Sequence, residues 1–186
     1  ARGVLLMFDE VQTGIGRTGK LFAFQHEDAR PDVLTLGKGL GAGVPLAAML
    51  CDARYACFQP GDQGGTYSGN ALTAAVGQAV MDAVMAPGFL EHVNAMSAKL
   101  RGVLEALIPR GLVCTVRGQG LLRAAELPGP TAGEVVRLAM ADGLLLNAPR
   151  PNLLRFMPAL NVQAASIDEL ASLLPRVLEA AAASSR

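Results

Sequence analysis

The sequence predicts an α/β protein: the C-terminal part of a parallel-sheet domain over residues 1–87, then a small α+β domain over residues 88–186. Three observations support this. Short, continuous apolar runs at residues 3–8, 33–36 and 45–51 read as strands buried on both faces, the pattern of a parallel sheet. An Ala-rich helix over residues 69–85 is stopped by Pro87-Gly88. After it, Leu90, Val93, Met96, Leu100, Val103, Leu104 and Leu107 recur at helical spacing as far as Pro109. Beyond that point the character changes. Strands are predicted at residues 112–116, 121–127, 144–146 and 153–157, with a short helix at 131–140. Ser166 and Glu169 have capping-box spacing and open a last helix over 167–182.

The chain has 186 residues, of which 51% are hydrophobic and 17% charged, enough for one full domain or two small ones. Sixteen basic and sixteen acidic residues cancel, which leaves no electrostatic footprint for nucleic acid or an anionic membrane. The apolar content is too high for a disordered chain. Residues 71–90 approach the length of a membrane span, but Gly77, Gln78, Asp82 and Pro87 interrupt them, so they read as a buried helix of a soluble protein. Cys51, Cys57 and Cys114 are odd in number and lack metal spacing, which implies a reducing, cytoplasmic setting with each thiol buried as a small apolar residue. Ala1-Arg2-Gly3 leads straight into a strand with no signal peptide. A start without Met directly before a buried strand is expected of a fragment that lacks its N-terminal part.

The segment Gly14-Ile-Gly-Arg-Thr-Gly19-Lys20-Leu21 matches both a dinucleotide fingerprint and a phosphate loop. Neither fits its context. Asp9 to Thr13 separate the glycines from the strand, no helical stripe follows, and Leu21 stands where a phosphate loop needs Ser or Thr.

Asp9 ends the first apolar run, where ligands bind in open α/β sheets; an Asp capping the next loop explains it equally well. Lys38 shifts that balance. It is one of three lysines, set between Gly37 and Gly39 after a buried strand. Partial desolvation there would lower its pKa and free the amine as a nucleophile toward an aldehyde. Pyridoxal phosphate needs such an amine, an acid at its ring nitrogen and donors for its phosphate. Gly64-Gly65-Thr66-Tyr67-Ser68-Gly69-Asn70, running into a helix, supplies hydroxyls and N–H groups, although a plain glycine turn with a helix cap reads the same.

These segments, in order, resemble the class III (ω-amino) aminotransferases. The motifs are Asp9-Glu-Val-Gln-Thr-Gly-Ile-Gly-Arg-Thr-Gly19, Pro31-Asp-Val-Leu-Thr-Leu-Gly-Lys38-Gly-Leu-Gly-Ala-Gly-Val-Pro-Leu46 and Gly61-Asp-Gln-Gly-Gly-Thr66-Tyr-Ser-Gly-Asn70. The last is Leu144-Leu-Leu-Asn-Ala-Pro-Arg-Pro-Asn-Leu-Leu-Arg155-Phe-Met-Pro-Ala-Leu-Asn-Val162. The resemblance implies the fold type I of pyridoxal-phosphate transferases and the cofactor pyridoxal 5'-phosphate. It places Asp9, Glu10, Val11, Gln12, Lys38 and Thr66 in the cofactor site. Lys38 would hold the cofactor and shuttle the proton, Asp9 pair with the pyridinium nitrogen, Val11 pack on the ring and Gln12 approach the phenolic oxygen. Thr66 would reach the phosphate bound in the neighbouring subunit of a homodimer. Arg155 would take the substrate α-carboxylate, with a structural ion pair as the alternative. Gly65 stands where relatives often carry a substrate-contacting Ser, so that contact is not carried over.

The implied substrates are small molecules, an amino donor and 2-oxoglutarate. The last motif is most similar to the branch that takes the δ-amine of N2-acetylornithine, in arginine biosynthesis. Ornithine, 4-aminobutyrate or succinylornithine as donor are the alternatives, as is a non-catalytic remnant.

Overall fold

The computed structural model describes residues 3–184; Ala1-Arg2, read as leading into the first strand, lie outside the described residues. Two compact units divide the chain, Ala1–Leu90 and Glu91–Arg186.

In the first unit, β1 (Met7–Asp9), β2 (Val33–Leu36) and β3 (Ala48–Cys51) form a sheet in the order β1-β2-β3. β1 runs parallel to β2, with Asp9 opposite Thr35, whereas β3 runs antiparallel to β2, not parallel as its apolar run suggested. β2 alone has a neighbour on each side, and its Val33, Leu34 and Leu36 are buried. The expected burial of the other two strands does not hold among the described residues. Val4 is 78% exposed, and Leu5, Leu6, Met7, Met49 and Leu50 are also open; β1 and β3 have one strand partner each. An apolar run encodes the capacity to be covered on both faces; it does not supply the cover.

The helix α1 (Ala71–Met85) starts two residues later than its pattern suggested, since Asn70 Oδ1 accepts from the N–H groups of Leu72 and Thr73 and caps it. It is mostly exposed rather than buried, with Gly77 and Val84 its two buried residues. Gly77 marks the contact of α1 with the 40–46 loop: a Cβ there would stand 2.5 Å from Leu46 Cδ2. No single helix among the described residues is long and apolar enough to cross a membrane.

α2 (Phe89–Glu105) opens the second unit's packing, turning Val93, Ser97, Leu100 and Leu104 inward. β4 (Thr115–Gln119), β5 (Leu122–Glu126), β6 (Asn147–Arg150) and β7 (Leu153–Phe156) make an antiparallel sheet in the order β4-β5-β7-β6. α3 (Ala132–Ala141) and α4 (Ala164–Ser184) complete the unit. Val93, Leu100, Leu104, Leu121, Ala125, Leu154, Ile167 and Leu174 are almost fully buried and form its core.

Several predicted boundaries move, among them the strand read at 112–116, which is β4 at Thr115–Gln119. The apolar run 144–146 is not a strand: β6 begins at Asn147, and Leu145 is 79% exposed, because the run lines an open cleft instead of the core. α4 begins at Ala164, and the Ser166 N–H already bonds the Gln163 carbonyl, so Ser166 lies inside the first turn and forms no capping box. All three cysteines are exposed, not buried. Cys51 ends edge strand β3, Cys57 lies in the loop beyond it, and Cys114 precedes edge strand β4.

The β4–β5 hairpin closes tightly. Arg123 donates to the carbonyls of Gly118 and Gly120, and Ser97 Oγ donates to Gly120 at 2.8 Å. Gly118 has φ +106°, and a Cβ on it would lie 2.1 Å from the Leu122 carbonyl oxygen. Gly118→Ala is expected to destabilise the protein by about 2 kcal/mol or more. Gly102→Ala, on the exposed side of α2 with open space around it, is expected to stabilise by roughly 0.5–1 kcal/mol. Urea unfolding of both variants reads the two opposite signs.

Candidate active site

Parallel pairing brings the C-terminal ends of β1 and β2 to one edge, and the chemistry gathers there. Asp9 closes β1. Its Oδ1 accepts from the Val11 N–H at 3.0 Å and from the Thr35 hydroxyl at 3.1 Å. The Val11 N–H first, then the Thr35 hydroxyl, and lastly the Lys38 ammonium hold this carboxyl below the ordinary carboxylate range, against a small opposing effect of desolvation. Asp9 Oδ2 has no hydrogen-bond partner among the described residues. The result is an ionised, exposed carboxylate fixed through one oxygen and open at the other.

Glu10 points the other way, as strand alternation requires. Only 3% exposed, it accepts from the Ala23 N–H at 2.6 Å, the Phe24 N–H at 2.7 Å and the Thr13 hydroxyl at 3.4 Å. Its carboxylate is therefore committed to the loop 11–24 and turned away from Asp9's open oxygen. That loop holds the two glycine motifs and is a compact knot: Gly16 N–H bonds the Leu21 carbonyl, and Gly19 N–H bonds that of Gly16. It opens no α-helix, only a 3-10 turn at Ala23–His26, so neither nucleotide motif has its structural context.

Lys38 follows β2 by two residues, starting a 3-10 turn over Lys38–Gly41. It adopts φ +41°, a left-handed conformation that a residue with a side chain holds at a cost of about 1 kcal/mol or more. The expectation of a partly desolvated lysine is not met: Lys38 is exposed, since Gly37 and Leu40, not Lys38 itself, turn into the packed side. Val11 packs against the backbone just ahead of it; a Cβ on Gly37 would lie 3.3 Å from Val11 Cγ1. Asp9, Val11 and Lys38 thus converge, with half-buried Gln12 next in the same turn.

Thr66 stands on a separate exposed loop and lines a shallow cavity of about 330 Å³ with Pro45, Leu46 and Thr73, which neither Asp9 nor Lys38 lines. Arg155 belongs to the second unit. Half-buried on β7, it donates from Nε to Asn147 Oδ1 at 3.0 Å, at a cleft of about 360 Å³ walled by Leu144, Leu146, Phe156, Met157 and Ile167. Two residues of the site escaped the sequence reading. Thr35 was visible as the lone polar residue of Val33-Leu-Thr-Leu36, and Asn147 as the first polar residue after three leucines.

An ionised carboxylate and a primary amine on adjacent strand ends, with an apolar residue packed beside the amine's turn, define a class of site suited to an aldehyde-bearing pyridinium cofactor. Residues 1–178 match the family model described as aminotransferase class-III, and the chain belongs to that pyridoxal-phosphate-dependent family.

The chain is 51% identical to acetylornithine aminotransferase 2 of Bordetella pertussis over 181 residues, which cover 96% of this chain and 46% of that protein. It superposes with a TM-score of 0.87 on the crystal structure of acetylornithine aminotransferase from Elizabethkingia anophelis, at 35% identity, covering 94% of this chain and 48% of the other. On the ornithine aminotransferase from Toxoplasma gondii ME49 the TM-score is 0.88 at 30% identity, covering 98% and 45%. The chain therefore spans about half the length of the relatives it matches. Its α/β architecture is that of the pyridoxal-phosphate aminotransferases. The residues present fit the cofactor: Asp9 offers an open, ionised oxygen and Lys38 an accessible amine.

Because its pKa is lowered on folding, Asp9 contributes stability at pH values above the ordinary carboxylate pKa, and that contribution is lost as pH falls through the lowered value. Thr35→Val removes the hydroxyl donor and keeps the side chain's shape. Asp9 is expected to titrate at higher pH in this variant, read from the pH dependence of its carboxyl carbon resonance.

Proposed function

We propose that the protein is a cytoplasmic acetylornithine aminotransferase, working as a homodimer with shared sites. The reaction moves the δ-amino group of N2-acetylornithine to 2-oxoglutarate, giving N-acetylglutamate 5-semialdehyde and glutamate, a step of arginine biosynthesis. The observation that carries this reading is the convergence of Asp9 and Lys38 at the paired ends of β1 and β2. Bound pyridoxal phosphate supplies an electron sink for the carbon that loses its proton.

This chain's residues do the rest. Asp9, kept ionised by Val11 N–H and Thr35, keeps the ring nitrogen protonated. Lys38 Nζ would hold the cofactor and would serve as the base that accepts and returns the substrate proton. Its raised φ fixes the direction in which the side chain leaves the turn. Val11 would pack against the cofactor and Gln12 would donate to it. Glu10 takes a positioning part, since it holds the loop 11–24 while Asp9 faces the site. Thr66 would hold the phosphate of the cofactor in a neighbouring subunit, and Arg155 would receive the substrate α-carboxylate. Residues 1–87 form the C-terminal part of the large cofactor-binding domain and residues 88–186 the small domain.

The choice of donor rests on relatedness. Fold similarity does not separate the branches, since the acetylornithine and ornithine enzymes superpose equally well. Sequence identity supports the acetylornithine branch: the superposed acetylornithine enzyme is 35% identical and the ornithine enzyme 30%, and the 51% identical relative bears the acetylornithine name. In the protein as expressed from its own gene, kcat/KM for N2-acetylornithine is expected to exceed that for ornithine and 4-aminobutyrate by more than about tenfold. Preference for either of the other donors would contradict the substrate assignment and leave the cofactor site untouched.

A further inference from the structure

We propose that Ile15 is a positioning residue for Lys38, propping the backbone just after the lysine and so fixing the direction in which the amine leaves its turn; this rests on the reading of Lys38 as the amine that holds the cofactor. The loop that carries the glycine motif lies against the Lys38 turn. A Cβ on Gly14 would lie 3.3 Å from Leu36 Cδ2, one on Gly37 3.3 Å from Val11 Cγ1, and one on Gly39 3.5 Å from Ile15 Cβ. Lys38 is thus bracketed, with Val11 against the residue before it and Ile15 against the residue after it. Glycine on either side lets both props come close to the backbone.

Ile15 holds this place at a conformational cost. It is 2% exposed, lower than any other buried hydrophobic residue of the first unit among those described. Yet it adopts φ +54°, a region that β-branched residues rarely enter. Glycine, present at 14, 16 and 19, would adopt the same conformation without that cost. The loop's own bonds keep Ile15 there: the Gly14 N–H bonds the Glu10 carbonyl at 2.9 Å, and the Gly16 N–H bonds that of Leu21 at 3.0 Å. What the side chain supplies is a stiff face. Branched at Cβ and restricted at χ1, it turns Cβ, Cγ2 and Cγ1 together toward Gly39, at 3.5, 3.9 and 4.0 Å from where a Cβ would stand. Lys38, at φ +41°, also lies outside its preferred backbone region. A residue stays there only while its surroundings over-determine it. Without the prop the turn is free to relax toward negative φ, which swings Nζ away from its direction at the β1–β2 edge.

The test uses the cofactor-loaded protein as expressed from its own gene. kcat and KM for N2-acetylornithine are measured, with the pH midpoint of the visible absorbance of the lysine-bound cofactor. Ile15→Ala is expected to lower kcat about tenfold with KM within about twofold, and to move the midpoint by about half a pH unit or more. Should Ile15→Ala not fold, Ile15→Gly removes the same prop, relieves the strained φ and carries the same expectations. Ile15→Val keeps all three atoms that face Gly39 and is expected to match wild type in both readings. Adding Gly39→Ala to Ile15→Ala puts a methyl back into the gap and is expected to bring both readings toward wild type. A merely structural role predicts lost stability in proportion to the volume removed, with kcat per folded molecule and the midpoint unchanged. Wild-type kcat and midpoint in folded Ile15→Ala or Ile15→Gly, or a displaced midpoint in Ile15→Val, would overturn the inference. Lys38→Ala is expected to lose the visible band; its persistence would instead overturn the reading of Lys38.

Discussion

The parallel pairing of β1 with β2, in the register that sets Asp9 against Thr35, is the constraint on which the proposed cofactor site depends. In a parallel pair both strands end at the same edge, so a carboxylate closing one and an amine just past the other are brought together by backbone hydrogen bonds alone. The register also chooses Asp9's donor. A shift of one residue would replace the Thr35 hydroxyl with a leucine on either side and turn Asp9 to the opposite face. Strand alternation then divides the two acids. Asp9 stays open at one oxygen, and Glu10, next to it, is consumed by three donors of the loop 11–24. Two adjacent carboxylates are thus held differently, one open at an oxygen and one committed to the loop.

Much of this was legible in the sequence, for physical reasons. Val33-Leu-Thr-Leu36 reads as a buried strand, and it is the strand with a neighbour on each side. The ends of the two apolar runs located Asp9 and Lys38, because polar residues at the close of apolar strands face the ligand edge. The glycine motif 14–19 misleads as a pattern, and its context resolves it: no α-helix follows. Exposure was less legible. The apolar runs at 3–8 and 45–51, the helix over 71–85, Lys38 and the three cysteines were all read as more covered than they are among the described residues. Composition records what a segment tolerates, whereas exposure depends on which other elements lie against it. Strand direction was likewise beyond the pattern, since antiparallel β3 carries the same apolar run as parallel β1.

The second unit shows the same division. Helical spacing located α2 and its inward residues Val93, Leu100 and Leu104. It could not show that Leu144 to Leu146 wall a cleft, because a lining and a strand share one apolar signature. The informative residue there is the polar one that follows. Asn147 interrupts the leucines where β6 begins, and its amide meets Arg155 across the strand pair. In both units, then, the residues that bond the candidate charged groups are isolated polar groups in apolar segments: Thr35 in β2 and Asn147 at the head of β6. Each acts by donating to or accepting from a charged neighbour.

We place the pyridoxal-phosphate site at the β1–β2 edge. Borohydride reduction of the cofactor-loaded protein, followed by mass mapping of its lysines, tests it most directly. The account predicts a phosphopyridoxyl group on Lys38 and none on Lys20 or Lys99, the other lysines of this chain. Stoichiometric labelling of the protein at any lysine other than Lys38 would contradict it.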